Sequence, residues 1–441
     1  MFYPKTPFLG NSLLESEILK ANSARLPQLL EWLCETPRIT TYRVNTLRTS
    51  VAAYKSELEA KLKSLLGSQA PKVFGMSELP EIVCIAPLPS SEEIIDAKLK
   101  HLIVDTSCGA ALLRGAHIYA PGVLAMETGT QIHELVNVFA DLKGKCKRGT
   151  ATRYESTEKV FLGVGKVLMQ RYQLYNNDKQ PSTGIAVSMQ TNVSGVPALG
   201  DLSSSDALLQ NLPSIACVRV LAPQPGERIL DMCAAPGNKT THIAELMTNE
   251  GCVIALDNSA SRVHAMQSKL VNYSCIEAHV FDSTRAHDVT ASSSSSQPPF
   301  GSHSFDRILL DAPCSGLGNR PQLACHIKQL KLLQSYPNIQ RRLFAQAVPL
   351  LRPGGVLVYS TCTVTEAECE EIVAWALRKF PQLSLVDATP KFGAPGLPNP
   401  GLDASQCVLL QRFGPNKEEY AVQDLDTVGF FIAKFKKIAN I

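Results

Sequence analysis

The chain has 441 residues, 45% of them hydrophobic and 19% charged, and a formal net charge of +3. That length accommodates two or three units, each able to bury a core of its own, and the composition excludes a disordered or fibrous protein. A charge so near zero names no partner, so its distribution along the chain has to carry that question.

The first residues, MFYPKTPFLGNSLLESE, have no basic segment leading into an apolar run, and no stretch reaches the roughly 18 apolar residues of a membrane span. The expectation is a cytoplasmic, monomeric chain with no membrane partner. Thirteen cysteines are scattered along it, none in a Cys-x-x-Cys pair or beside a His at metal-ligand spacing. Neither a disulfide scaffold nor a bound metal is expected, and most of the thiols read as small buried hydrophobes in a reducing compartment.

Residues 1–98 hold two apolar-periodic stretches, Leu13 to Cys34 and Val51 to Leu66. An extended run from Ile39 to Thr46 lies between them, and a second from Glu81 to Ala86 follows. This predicts a small α+β N-terminal unit. From 99 to 193 the runs VLAM, HELVNVFA and KVFLGVG, separated by turn residues, predict a compact β-rich module.

After a polar stretch from Gly195 to Asp206, residues 194–441 alternate apolar runs with helical patterns. The runs are RILDM (228–232), CVIALD (252–257), EAHVF (277–281), FDRILLD (305–311), GVLVYS (355–360) and GFFIAKF (429–435). That order predicts an α/β fold built on a doubly wound, Rossmann-like parallel sheet. The low-complexity run ASSSSSQPPFGSHS (291–304) reads as a mobile loop between two of the strands.

The run ILDMCAAPGNKTTHIAELM places a strand before a small-residue turn and a helix after it, so free N–H groups face the carboxyl edge of the sheet and suit a carboxylate-bearing ligand. Asp257 ends the next strand, twenty residues past Gly237, where a carboxylate suits ribose hydroxyls, and Asp282 follows the third strand. The turn is neither G-x-G-x-x-G nor a P-loop. Lys239 either neutralises the ligand's carboxylate or caps the turn.

Asp311, Pro313 and Cys314 in LLDAPCSGLG follow one apolar strand, and Cys362 in VYSTCTVTEAE follows another. In a parallel sheet these ends share one crevice. Two thiols and an acid there suit cytosine chemistry: a thiolate adds to carbon 6, carbon 5 becomes nucleophilic, and the acid holds the amino edge of the base. A lone cysteine is usually a buried thiol, but these two sit in irregular polar turns at the edge where chemistry occurs.

At these motifs the sequence resembles the Sun (Nop/Sun) family of RNA cytosine 5-methyltransferases, through DMCAAPGNKT, DAPCSG and STCT in order, each with a strand before it. The resemblance implies Cys362 as nucleophile, Cys314 as the release cysteine and Asp311 as the acid that holds the base. It implies S-adenosylmethionine as cofactor, held by Cys233, Ala234, Ala235, Pro236, Gly237, Asn238, Lys239, Asp257, Arg262, Asp282 and Asp311. Asn238 and Ser283 stand where the family commonly has glycine, departures that bear on cofactor affinity.

The segment from Cys108 to Gly149 looks like a PUA domain inserted ahead of the methyltransferase, as in the tRNA-modifying branch of the family. The implied partners are tRNA and other RNAs with an unpaired 3′ end, reached through Arg114, Tyr119, Lys147 and Arg148. Between 141 and 171 eight cations face three acids, an excess larger than that of the whole chain. Such a run suits phosphates, and a solvated loop is its plain alternative. Tyr119 is either a stacking platform for a base or a ring packed under a turn.

Two other functions compete with RNA methylation. One is methylation of DNA, a protein or a small molecule, against which stand the paired cysteines and the basic module. The other is a non-catalytic RNA-binding protein that keeps the methyltransferase scaffold, which has no need of Cys362, Cys314, Asp311, Asp257 and Asp282 together.

Overall fold

A computed structural model describes residues 4–88, 95–175, 182–199, 205–420 and 425–438. The polar stretch 195–206 falls partly outside them, at 200–204.

The periodic stretch from Leu13 to Cys34 is two helices, α1 (Ser12–Ser16) and α2 (Leu26–Cys34). The chain turns where Ala21 N–H and the Asn22 side-chain amide donate to Glu366 at 2.9 and 2.6 Å, and Pro27 opens α2. Leu14, Ile18, Leu29, Trp32 and Leu33 pack against Leu317, Cys325, Ile327 and Val364, far along the chain. The expected N-terminal unit is therefore split: its first 35 residues belong to the core of the C-terminal half.

The remainder forms a small layer of β1 (Thr40–Val44), α3 (Val51–Leu66), β2 (Val73–Met76) and β3 (Leu79–Ile85). Ser50 caps α3 by accepting from Ala53 N–H, and Tyr54, Leu58 and Leu62 form its buried stripe at four-residue spacing.

The β-rich module follows: β4 (Lys100–Val104), α4 (Thr106–Leu113), β5 (Ile118–Tyr119), β6 (Val123–Met126), β7 (Leu135–Asp141), β8 (Lys159–Val167), α5 (Arg171–Tyr175) and β9 (Ile185–Met189). Its sheet has the order β5-β9-β8-β7-β4-β6, with β4 and β7 parallel. Next, β10 (Ala207–Leu209) returns to pair with β1, giving β10-β1-β3-β2. The module is thus an insertion within another sheet, and chain beyond residue 194 completes the N-terminal layer.

The third unit runs α6 (Leu212–Leu221), β11 (Arg228–Asp231), α7 (Asn238–Leu246), β12 (Cys252–Asp257), α8 (Ala260–Leu270), β13 (Ile276–Val280), β14 (Phe305–Asp311), α9 (Leu330–Leu350), β15 (Leu351–Thr361), α10 (Glu370–Lys379), β16 (Leu383–Val386), α11 (Ala404–Leu409), β17 (Gln411–Phe413) and β18 (Phe430–Lys437). The order is β13-β12-β11-β14-β15-β18-β16, with β17 beside β18. The first five strands are parallel and β18 is antiparallel. All six strands expected from the sequence are present; β16 and β17 add to them. Ile229, Leu230, Ile254, Leu309 and Leu357 are fully buried, because α6 and α7 cover one face of the sheet and α9 and α10 the other.

The serine-rich run, expected as a loop, is tied to the sheet at both ends. Arg228 donates to the Ser293 carbonyl at 2.6 Å and to that of Ser295, and Phe300 is fully buried against Phe305.

On α9 the fully buried Phe344 meets Tyr359, Trp375, Phe380 and Phe435 with ring centroids 5.4 to 6.1 Å apart. Phe344→Ala should destabilise this unit by about 3–5 kcal/mol, read as a lowered denaturant midpoint of its unfolding transition. A shift under about 1 kcal/mol would show that the ring cluster is not a principal support.

Candidate active site

The strand order reverses direction between β11 and β14, and ligands of open parallel sheets bind outside the carboxyl ends at such a switch point. The turn Cys233–Gly237 lies there. Gly237 has φ +91°, and a Cβ on it would lie 2.6 Å from Met266 Cγ, so glycine is required. Asn238 begins α7 and is absent from the positive-φ residues, so replacing a glycine there introduces no backbone strain. Ser283, the other departure, is buried and donates its hydroxyl to the Met232 carbonyl at 2.6 Å.

The residues present fit an adenosyl amino acid. No side chain caps the start of α7, which leaves N–H groups for a carboxylate. Asp257 is buried and accepts from Ala235 and Ser259 N–H, while Arg262 pairs with it at 3.2 Å and donates to the Ala235 carbonyl. These contacts take most of a carboxylate's acceptor capacity, so ribose hydroxyls would share it with Arg262. Asp282 accepts from Thr284 and is not drawn into this cluster. The ammonium of Lys239 lies 2.7 Å from Asp311 Oδ2, a partner that neither sequence reading supplies. Burial opposes the charge on Lys239, but the Asp311 carboxylate outweighs it and raises the pKa. Ser360 Oγ donates to the other Asp311 oxygen at 2.7 Å.

Cys314 and Cys362, 48 residues apart, bring their sulfurs to 3.4 Å. Three contacts missed by sequence reasoning impose this. Buried Glu368 accepts from Ser315 N–H at 2.9 Å, from Thr365 Oγ1 at 2.9 Å and from Gln340 Nε2 at 3.0 Å. Ser315 and Thr363 hydroxyls meet at 2.6 Å, and Gly318 N–H donates to the Cys362 carbonyl at 3.0 Å. A glutamate six residues past a cysteine in TCTVTEAE is the only sequence signal of the first.

The thiols are electrostatically unequal. A hydrogen bond from Cys314 draws the Cys362 pKa below the ordinary thiol value, against burial and the Asp311 charge, with Lys239 and Asn319 adding to the lowering. Cys314 is pushed well up by its bond to Cys362, by burial and by the Glu368 carboxylate. One geometric contact agrees with the asymmetry: the Asn319 amide lies 3.8 Å from the Cys362 sulfur.

The candidate RNA residues lie apart on the inserted module. Tyr119 is 51% exposed, so it does not pack the core. Arg114 donates to the Arg320 carbonyl at 3.2 Å. Lys147 is exposed, and among the described residues its ammonium has no partner. Arg148 differs from expectation: its guanidinium donates to the carbonyls of Pro121, Val123, Ala120 and Leu174. Much of the basic run is also matched internally, Lys143 and Lys145 by Glu158 and Arg153 by Glu127. Among the described residues no cluster of three or more His, Cys, Asp or Glu is arranged to hold a metal, and no helix is long and apolar enough to cross a membrane.

A doubly wound sheet with an uncapped helix start and acids at its switch point, and two thiols at neighbouring strand ends, defines an S-adenosylmethionine-dependent methyltransferase with cysteine chemistry. The family described as 16S rRNA methyltransferase RsmB/F matches residues 218–436. A Mus musculus protein, tRNA (cytosine(72)-C(5))-methyltransferase NSUN6, is 40% identical over 99% of this chain and 94% of its own. A Pyrococcus horikoshii tRNA (cytosine(72)-C(5))-methyltransferase is 30% identical over 90% and 89%. The crystal structure of NSun6 from Pyrococcus horikoshii with SFG, an S-adenosylmethionine analogue, superposes with a TM-score of 0.73 at 27% identity, covering 96% of this chain and all of that one. The chain belongs to the Sun-type family of RNA cytosine-C5 methyltransferases. It is accordingly an S-adenosylmethionine-dependent enzyme that methylates carbon 5 of cytosine in RNA.

Asp231, at the end of β11, has one carboxylate oxygen on Thr240 Oγ1 at 2.7 Å and the other without a hydrogen-bond partner. Burial pushes its carboxyl from 3.8 up to about 7. The folded chain then keeps a proton that the unfolded chain gives up, so this group lowers stability as pH rises from about 4 to about 7. Asp231→Asn should gain stability relative to the parent as the pH goes from 5 to 8. A difference between their denaturation midpoints that stays constant over that window would contradict the shift.

Proposed function

We propose that the chain methylates a cytosine near the 3′ acceptor end of tRNA, through a covalent adduct to Cys362. What carries this reading is the pair of unequal thiols 3.4 Å apart at the ends of β14 and β15, beside the Lys239–Asp311 ion pair. The choice of tRNA rests on the names of the full-length relatives and on the inserted module.

The Cys362 thiolate adds to carbon 6 of the cytosine, forming a carbon–sulfur bond and leaving carbon 5 electron-rich. Asp311, fixed by Lys239 and Ser360, holds the amino edge of the base and keeps charge from building on the ring. S-adenosylmethionine, when bound, supplies the methyl group; the 233–239 loop, Asp257, Arg262 and Asp282 would hold it. Cys314 is protonated while Cys362 is the free thiolate. Once that sulfur is bound to carbon 6, Cys314 gives its proton to solvent and takes the carbon 5 proton as the carbon–sulfur bond breaks and the Cys362 thiolate leaves. A bonded Cys314–Cys362 pair could perform none of this, which argues for a reducing compartment such as the cytoplasm. One chain supplies every group, so a monomer suffices.

The 100–189 module acts as a PUA domain and selects the RNA. Tyr119 stacks on an unpaired base, Arg114 offers its guanidinium plane to another, and Lys147 meets phosphate. Arg148 supports the module's backbone and contributes to phosphate binding only by holding that surface. Other RNAs with an unpaired 3′ end are the secondary substrates.

Cys362→Ala should abolish methylation, scored by bisulfite sequencing of incubated tRNA, with cofactor binding nearly intact. Cys314→Ala should instead accumulate a protein–RNA adduct that survives denaturing electrophoresis. An adduct formed only by Cys362→Ala would exchange the two roles.

Lys147→Ala should reduce the slope of log affinity against log salt by roughly 0.7–0.9, whereas Tyr119→Ala should cost roughly 1–3 kcal/mol and only on RNAs with an unpaired 3′ end. Equal loss on blunt and overhanging RNAs would remove Tyr119 from the 3′-end site.

A further inference from the structure

We propose that Asn319 is a further catalytic residue, whose side-chain amide donates a hydrogen bond to the Cys362 sulfur and holds it as the thiolate; this rests on Cys362 being the nucleophile. The amide nitrogen lies 3.8 Å from Cys362 Sγ, within reach for the large sulfur acceptor. Among the described residues the carboxamide makes no other hydrogen bond.

Both neighbours of Asn319 fix its position. Gly318 is bonded through its N–H to the Cys362 carbonyl at 3.0 Å and through its carbonyl to Gly429 N–H at 2.8 Å. A Cβ at Gly318 would lie 2.1 Å from the Gly429 carbonyl oxygen, so only glycine permits the two backbones to approach this closely. On the other side Arg320 is 1% exposed. Its guanidinium donates to the Trp32 carbonyl at 2.7 Å, to Asp426 at 2.9 Å and to the Thr427 carbonyl at 2.9 Å, and lies 4.0 Å from the Trp32 ring. Asn319 itself donates its backbone N–H to the Gly316 carbonyl at 3.1 Å. An exposed side chain between two such anchors reaches the sulfur because its backbone is held in place.

The chemistry suits the position. A carboxamide N–H stabilises a thiolate without adding a charge that would pair with Asp311, and hydrogen bonds to a charged partner are stronger than neutral ones. Asn319 also lines a cleft of about 480 Å³ with Thr40, Arg114, Gln210, Asn211 and Val428, contributed by all three units. The same residue thus touches both the Cys362 sulfur and this cleft.

The test uses the full-length chain and Asn319→Ala, Asn319→Asp and Asn319→Gln. Iodoacetamide alkylation of Cys362 is followed as a function of pH by peptide mapping. Asn319→Ala should move the alkylation midpoint upward and slow the reaction at pH 7 about three- to tenfold, equivalent to half to one pH unit. Asn319→Asp should move it further, because a carboxylate accepts but does not donate. Asn319→Gln should restore part of the loss, and the acidic limb of the kcat/KM profile should follow the same order with KM for S-adenosylmethionine within about twofold of the parent. An unmoved midpoint overturns the proposal. A downward shift in Asn319→Ala also overturns it, since the amide oxygen would then be accepting from the thiol S–H. Full methylation by Cys362→Ala would instead defeat the nucleophile assignment, leaving the alkylation result separately readable.

Discussion

The site depends on one buried carboxylate. Glu368 is fully buried, where an ionised group without partners would be costly. It is tolerated because Ser315 N–H, Thr365 Oγ1, Gln340 Nε2 and, at 3.4 Å, Thr363 Oγ1 converge on it. Those donors come from the turn after β14, from α9 and from the turn after β15, so satisfying one charge ties both cysteine turns together. The 3.4 Å sulfur separation follows from that constraint. The bond to Cys362 and burial raise the Cys314 pKa and this carboxylate adds to them, so the group that builds the site also contributes to dividing the work of its two thiols.

A second set of charges joins the layers to this centre. Arg43 of β1 is buried, pairs with Glu245 at 3.0 Å and donates to Thr241 Oγ1 at 2.8 Å, both on α7. It also donates to the carbonyl of Asn238, in the first turn of that helix. Glu81 of β3 meets His242 at 3.0 Å and Arg219 at 2.6 Å, and burial keeps the pKa of that histidine low. Buried polar groups tied together in this way specify geometry more than they add stability. Here they fix the start of α7, whose free N–H groups are what the cofactor loop offers a carboxylate.

The sequence made the parallel sheet legible because strands buried on both faces are continuous apolar runs, and each such run from Arg228 to Phe435 lies in a strand. The strand-end position of Asp311, Cys314, Asp257 and the 233–239 turn was legible for the same reason. Glu368, Asn319 and Arg320 were not, since their value lies in contacts with residues tens to hundreds of positions away. Charge counting misled at Arg148, which spends its guanidinium on four carbonyls; composition records the number of cations but not their partners. Periodicity misled between Leu13 and Cys34, because an apolar stripe gives no information about which core it joins.

Arg320 shows how the separate units become one enzyme. Its side chain binds α2 through Trp32 and the run into β18 through Asp426 and Thr427, while its carbonyl accepts from Arg114 of the inserted module. Leu323, three residues on, is buried in that module's hydrophobic core. The segment that begins with the Cys314 turn therefore ends inside the core of the inserted module. Gly318 cannot yield without losing its backbone bonds to Cys362 and Gly429, and Arg320 cannot yield without losing partners on two elements. Packed segments of this kind switch between arrangements or stay put rather than deform by degrees. The inserted module is thus packed directly against the segment that carries the loop beside the Cys362 sulfur, and the contacts that place the one also place the other.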